Sequence, residues 1–156
     1  MNSSGISVRE LKAEDFCEWD KYCENNLASY ASYSIWTTIL PNLGCKPVFL
    51  IAKDRDNKVI GVFPSALILR RGYRLGISTW ADGRMYAGPI ADSPEIAQEL
   101  LLAFDETCKK YRISLIRIIV NPWSRKCSIA ESKLQELGYK PKTLYDSLNT
   151  TALYWI

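Results

Sequence analysis

The sequence predicts an α/β protein of the α+β kind, with one mixed, mostly antiparallel central sheet of about seven strands flanked by about four helices. Three observations carry this expectation. Residues 48–79 read as three strand-length runs joined by turn chemistry, a local and therefore antiparallel meander. Ser93, Pro94 and Glu95 form a helix start: a serine cap, a proline where its missing donor does no harm, and an acid at the positive helix end. The nearly all-apolar run 113–120 after that helix reads as a strand covered on both faces and reached by a crossover.

Taken in order, residues 6–11 form the first expected strand, with Ile6 and Val8 alternating with Ser7 and Arg9. A helix follows, with Asp15 as N-cap or first-turn acid. Phe16, Trp19, Cys23 and Leu27 share its buried face, and Glu18, Asp20, Lys21 and Glu24 are left to water. A shorter helix from Ser34 uses Ile35, Trp36, Ile39 and Leu40, and stops or kinks at Pro41. Residues 48–52 are the next strand, 54–58 a hairpin turn, and 59–69 the return strand, in which Pro64 predicts a bulge or bend. A turn around Gly72 leads to a strand over 75–79.

In the long helix after Ser93, Ile96, Leu100, Phe104, Cys108 and Tyr111 recur at helical spacing, and Lys109, Lys110 and Arg112 suit its negative end. Residues 113–120 contain one charge, Arg117, which needs a carboxylate or an open face; Asp92 or Asp82 is the expected partner. Ser128-x-x-Glu131 has the form of a capping box, and Gly138 that of a left-handed helix cap. After Pro141, residues 143–148 and 150–156 are expected as two last strands. The apolar ending TALYWI suggests a longer protein in which residues 1–156 are one domain, the first half of two.

At 156 residues the chain fits one domain, and folding at this size buries roughly 70% of the unfolded surface. The apolar fraction of 47% and charged fraction of 24% are those of an ordinary globular protein, with no apolar run near the roughly 20 residues that span a bilayer. The first residues lack the pattern of a secretory signal, so the expected location is cytoplasmic, with no membrane partner. A net charge of +3 with dispersed basic residues does not predict specific nucleic-acid binding. Five cysteines without C-x-x-C spacing suit neither a disulfide framework nor a metal site, and are expected as buried free thiols. The chain contains no histidine, which removes Ser-His and Cys-His nucleophile pairs and the usual base near neutral pH.

The order strand, helix, helix, three-stranded meander, long helix, strand, helix, two strands resembles the GNAT acyltransferase fold over nearly the whole chain. Within it, SIWTTIL, VFLIAKD with VIGVFPSALIL, MYAGPIAD and ESKLQELGYKP resemble the first domain of FemAB-type proteins, the peptidoglycan-bridge aminoacyl transferases and their acetyltransferase relatives. VIGVFPSALIL and YAGPIAD are the more specific segments. The resemblance implies N-acyl or aminoacyl transfer, in which a small-molecule or peptide-like amine loses a proton and attacks an activated ester or thioester. It implies acyl-CoA or aminoacyl-tRNA as donor in a full-length protein. It also implies that this domain contributes acceptor binding, while a second GNAT-like domain or a homo-oligomer completes the site. Superfamily members that use acyl-CoA cradle its pyrophosphate on a glycine-rich turn at the start of the long helix. Here GPIADSPEIAQEL stands at that junction, with Pro89 lacking a donor and Asp92 negative, so no cofactor is assigned to this domain.

Residues 80–92 are the candidate substrate-binding stretch, with Asp82, Arg84, Tyr86 and Asp92 at a strand-to-helix junction; a solvated loop with Asp92 capping the helix explains the same residues. Trp36 lies where the resembling proteins carry an aromatic near the acceptor cleft, although tryptophan on an apolar helical face also packs as core. The resembling proteins often place a lysine soon after that aromatic to meet phosphate; here none follows before Lys46, so the resemblance does not imply a phosphate-bearing acceptor. Arg70, Arg71 and Arg74 read as a soluble hairpin edge. No catalytic residue is assigned, and the isolated chain is expected to turn over little. The alternative is a non-catalytic binding or assembly module of the same fold.

Overall fold

A computed structural model describes residues 5–78, 87–120, 124, 126–143 and 152–155. Among them, eight strands and four helices follow one another as β1 (Ser7–Glu10), α1 (Phe16–Asn25), α2 (Trp36–Asn42), β2 (Cys45–Lys53), β3 (Val59–Arg70), β4 (Tyr73–Ile77), β5 (Ile90–Ala91), α3 (Pro94–Lys110), β6 (Leu115–Ile119), α4 (Cys127–Glu136), β7 (Lys140–Thr143) and β8 (Ala152–Trp155). They form one sheet in the order β1-β2-β3-β4-β6-β8-β7, with β5 paired to β3. All pairings are antiparallel except β4 with β6. That parallel pair is the crossover made by α3, as the capped helix followed by an apolar strand predicts.

Alternation along β2 shows why both sheet faces are covered. Val48, Leu50 and Ala52 enter a layer with Leu100, Leu101 and Phe104 of α3 and Leu134 of α4. Phe49 and Ile51 enter the opposite layer with Trp19 and Cys23 of α1 and Leu40 of α2. Strand side chains point to opposite faces in turn, so the uninterrupted apolar run serves both layers.

Several expectations need correction. The β2–β3 ladder continues in register through the Phe49–Pro64 pair, and its shift lies where Ala52 faces Gly61 but Lys53 faces Val59. The extra residue is therefore Ile60, next to the hairpin. Ser128 and Glu131 form no capping box: α4 starts at Cys127 with Lys126 as N-cap and no side-chain cap bond. Ser124 Oγ accepts the Lys126 N–H at 3.3 Å instead. The strand expected after Pro141 includes it, with Pro141 facing Tyr154; β7 is an edge strand, where a missing donor is tolerated. Leu27 is 53% exposed, because α1 ends at Asn25 and the chain turns away. Of the cysteines, Cys23 and Cys108 are buried, whereas Cys17 is exposed on the outer side of α1. Burial pushes the Cys108 thiol up to about 12. Among the described residues no helix is long and apolar enough to cross a membrane.

Candidate functional site

The bulge at Ile60 organises the junction of β5 and α3. It leaves the Ile60 carbonyl available to the Asp92 N–H, which donates to it at 3.0 Å just beyond β5. The Tyr22 hydroxyl, from α1, lies 3.0 Å from the same carbonyl and 2.7 Å from Asp92 Oδ1. A phenol has one proton, and the nearer, charged acceptor takes the larger share. Lys126, at the start of α4, donates to Asp92 Oδ1 from 2.8 Å. Burial, and then the Asp92 carboxylate, raise the Tyr22 pKa. Tyr22 is thus a donor at neutral pH, and Asp92 is a carboxylate between one phenol and one ammonium.

The first turn of α3 is already occupied. Pro94 has no N–H, Ile96 N–H donates to Ser93 Oγ at 3.4 Å, and Ala97 N–H to the Ser93 carbonyl at 3.1 Å. The Glu95 carboxylate is held below its usual range by Ser93 first and by its own N–H second. With Asp92 and Glu95 both negative, these contacts do not fit a pyrophosphate, which needs free backbone donors and positive potential.

On the other side of the junction β4 and β6 part. Their ladder ends at Ile77–Arg117, after which Ser78 N–H donates to the Arg117 carbonyl at 3.0 Å and Ile119 N–H to Ser78 Oγ at 2.9 Å. A side chain here takes over from the backbone. Gly88 packs so closely that a Cβ on it would meet the Ile119 carbonyl oxygen at 2.6 Å. Ala87 N–H donates to the Ser78 carbonyl at 3.1 Å. Asp82, Arg84 and Tyr86 lie outside the described residues. Trp36 is half-buried, packs against the α1–α2 layer and donates its indole N–H to the Tyr30 carbonyl at 3.0 Å. Asp92 does not pair with Arg117, since Tyr22 and Lys126 hold it.

Beside this junction, a cleft of about 440 Å³ lies between α1 and the β2–β3 hairpin, lined by Glu18, Lys21, Tyr22, Asn25, Lys58 and Val59 among others. Tyr22 links the cleft to Asp92. The sequence singled out Asp92 but neither Tyr22 nor Lys126, and no local spacing relates positions 22, 92 and 126.

No protein-family model matches the chain, and no curated protein does. Solved structures do match. The chain is similar to the ribosomal-protein-S5-alanine acetyltransferase of Vibrio fischeri, with a TM-score of 0.66 at 16% identity over 100% of this chain and 94% of that one. Dodecameric spermidine N-acetyltransferase from Vibrio cholerae matches with a TM-score of 0.62 at 15% identity, over 99% of this chain and 94% of that one. A chain of the NatC complex bound to Gag peptide and CoA matches with a TM-score of 0.63 at 18% identity, over 96% and 95%. The element order, the single parallel pair and these likenesses together establish that this chain has the GNAT acetyltransferase fold.

Proposed function

We propose that this chain is an N-acyl or aminoacyl transferase domain of the FemAB-like kind and contributes the acceptor-binding half of the site. The acceptor is a small-molecule or peptide-like amine, and the carrying observation is Asp92. Its carboxylate, reached by the Tyr22 hydroxyl and the Lys126 ammonium, sits beside the cleft along α1. An amine arrives as an ammonium ion, and on Asp92 it would take the place of the Lys126 ammonium while Tyr22 keeps the carboxylate oriented. Likeness to acetyltransferases named for spermidine and for a protein's alanine supports an amine acceptor. The filled first turn of α3 supports assigning the acyl donor elsewhere, to a second GNAT-like domain or a second copy of this chain.

Spermidine and an alanyl peptide, titrated while backbone amide resonances are followed, should shift Tyr22, Asp92 and Lys126. Acetyl-CoA far above plausible affinity should leave the melting temperature unchanged. Stabilisation by acetyl-CoA, or no amide response to either amine, would overturn this reading. The filled helix turn also favours a second reading, a non-catalytic binding or assembly module. Concentration-dependent association without any amine binding would select it.

A further inference from the structure

Three connections meet at one end of the sheet: α2 to β2, β3 to β4, and α3 to β6. Lys46 at the start of β2 is paired with Leu67, and the β3–β4 turn closes on the Arg70–Tyr73 pair. The Ser114 N–H and hydroxyl donate to the Arg74 carbonyl at 3.2 and 2.9 Å. Tyr111 ties the three together. Its carbonyl accepts from the Arg74 guanidinium at 2.5 Å, and the Lys46 and Lys110 ammonium groups lie 5.5 and 5.9 Å from its ring centroid. Residues 41–47, 68–76 and 109–115 hold seven of the chain's 20 lysines and arginines and none of its 17 aspartates and glutamates, so the rest of the chain is net negative. Charges that are dispersed along the sequence are gathered by the fold.

Among the described residues one carboxylate pairs with these cations, Glu106 with Lys109 at 2.7 Å. Glu136, at the end of α4 nearby, is held by Lys133 at 2.5 Å. The negative end of α3 accounts for Lys109 and Lys110, but not for Lys46 or the three arginines. A soluble hairpin edge accounts for the arginines, but not for their neighbours: Leu43 and Tyr73 are just over half exposed and Leu69 more than a third. Large exposed apolar side chains among cations mark a binding surface. The mixture decides between polyanions. Leucine neither stacks on a base nor bonds a phosphate, whereas the boundary between lipid headgroups and acyl chains takes lysine, arginine, leucine and tyrosine together.

We propose that this end of the sheet docks on an anionic lipid bilayer. Seven cations in segments without an acid complement a surface of lipid phosphates. The molecule approaches with its strands end-on, the turn at residues 71–72 entering first. Leu69 and Tyr73 lie within two residues of that turn, roughly 7 Å, inside the depth of about 5–10 Å that surface-bound segments reach. The protein lies on the bilayer and does not span it. Arg70 stands ten strand residues along β3 from Ile60, roughly 30 Å, so docking leaves Asp92 and the cleft along α1 open to water. The surface is independent of the acceptor reading, and it reverses the expectation that the chain has no membrane partner.

Co-sedimentation with vesicles tests it, phosphatidylcholine alone against equal parts phosphatidylcholine and phosphatidylglycerol. The whole chain should pellet with the anionic vesicles and stay in solution with the neutral ones. Sodium chloride at about 1 M, where the screening length is roughly 3 Å, should release it. Arg70→Gln, Arg71→Gln and Arg112→Gln together should weaken binding to anionic vesicles roughly a hundredfold, at about fivefold per charge. Lys21→Gln, Arg55→Gln and Lys58→Gln together remove the same charge far from the docking surface and should change binding by less than about threefold. Leu43→Ser, Leu69→Thr and Tyr73→Thr together should weaken it at least about tenfold through lost apolar burial. Poly(U) at equal phosphate concentration should not displace the protein from the vesicles. No pelleting with anionic vesicles, equal pelleting with both kinds, or equal losses from the two charge variants would overturn the proposal. So would full binding by the apolar variant, or displacement by poly(U), either of which would make the patch a surface for a soluble polyanion.

Discussion

Leu27 occupies a backbone position that favours glycine. The residue just past the C-cap of each of the four described helices has a positive φ: 54° at Leu27, 72° at Gly44, 51° at Arg112 and 86° at Gly138. Three of these ends close with the same bond back into the helix, from Ala28 N–H to the Cys23 carbonyl at 3.0 Å, Ile113 N–H to Cys108 at 2.9 Å, and Tyr139 N–H to Leu134 at 3.0 Å. Glycine adopts this conformation without a Cβ clash, and leucine does not. Since Leu27 is also 53% exposed, Leu27→Gly should raise stability in urea unfolding by about 0.5–1 kcal/mol, the relieved strain less the added chain entropy. Gly138 was readable as a helix end because glycine is the signal. Leu27 and Arg112 were not, because the same backbone geometry is imposed there on residues that give no sign of it.

At the scale of elements, Asp15 ties β1, α1 and β2 together. Arg9 reaches its two oxygens at 2.6 and 2.7 Å, and Lys53 lies 3.0 Å from Oδ1 while also pairing with Glu18 at 2.7 Å. Asp15 and Lys53 are both buried, at 3% and 5% exposure. Removing one partner of such a group leaves an uncompensated buried charge, so Asp15→Asn should cost about 3–5 kcal/mol in denaturant unfolding. The Arg9 hydrogen bonds, more than offsetting burial, hold the Asp15 carboxyl well below its usual range, with help from Lys53. A depressed native pKa contributes stability above the unfolded value, about 4, and that contribution is lost as pH falls further toward the native value. Burial raises Asp105 instead, which works in the opposite direction. The wild type should therefore lose stability below about pH 4 more steeply than Asp15→Asn, measured by urea unfolding at a series of pH values.

For the molecule as a whole, Asp92 is where three distant parts of the chain meet: α1 through Tyr22, the β5–α3 junction, and the start of α4 through Lys126. Because the Asp92 side chain is 39% exposed, solvent weakens these contacts, and Asp92→Asn should cost about 1 kcal/mol. Combined with Lys126→Met, the loss should be smaller than the sum of the two single losses, since both remove one interaction. Amine binding should weaken in Asp92→Asn even where folding is intact.

What the sequence determined by itself is local. Ser93 and Pro94 with a helical apolar period specify α3, β2 and β3 are strand-length runs on either side of an Asp54–Lys58 turn, and an apolar strand after a helix implies the crossover to β6. Each of these depends on neighbours a few residues apart. Tertiary structure decided the rest. The bulge sits at Ile60 rather than Pro64, because the β2–β3 ladder absorbs a proline but Ile60 has to present its carbonyl to Asp92 and Tyr22. Tyr22 and Lys126 stand 70 and 34 positions from Asp92, and only the packing of α1 and α4 against the sheet brings them to it. Arg117 was visible in the sequence as a charge needing a partner. That Asp92 is not this partner follows from three-dimensional competition, in which Tyr22 and Lys126 take its carboxylate.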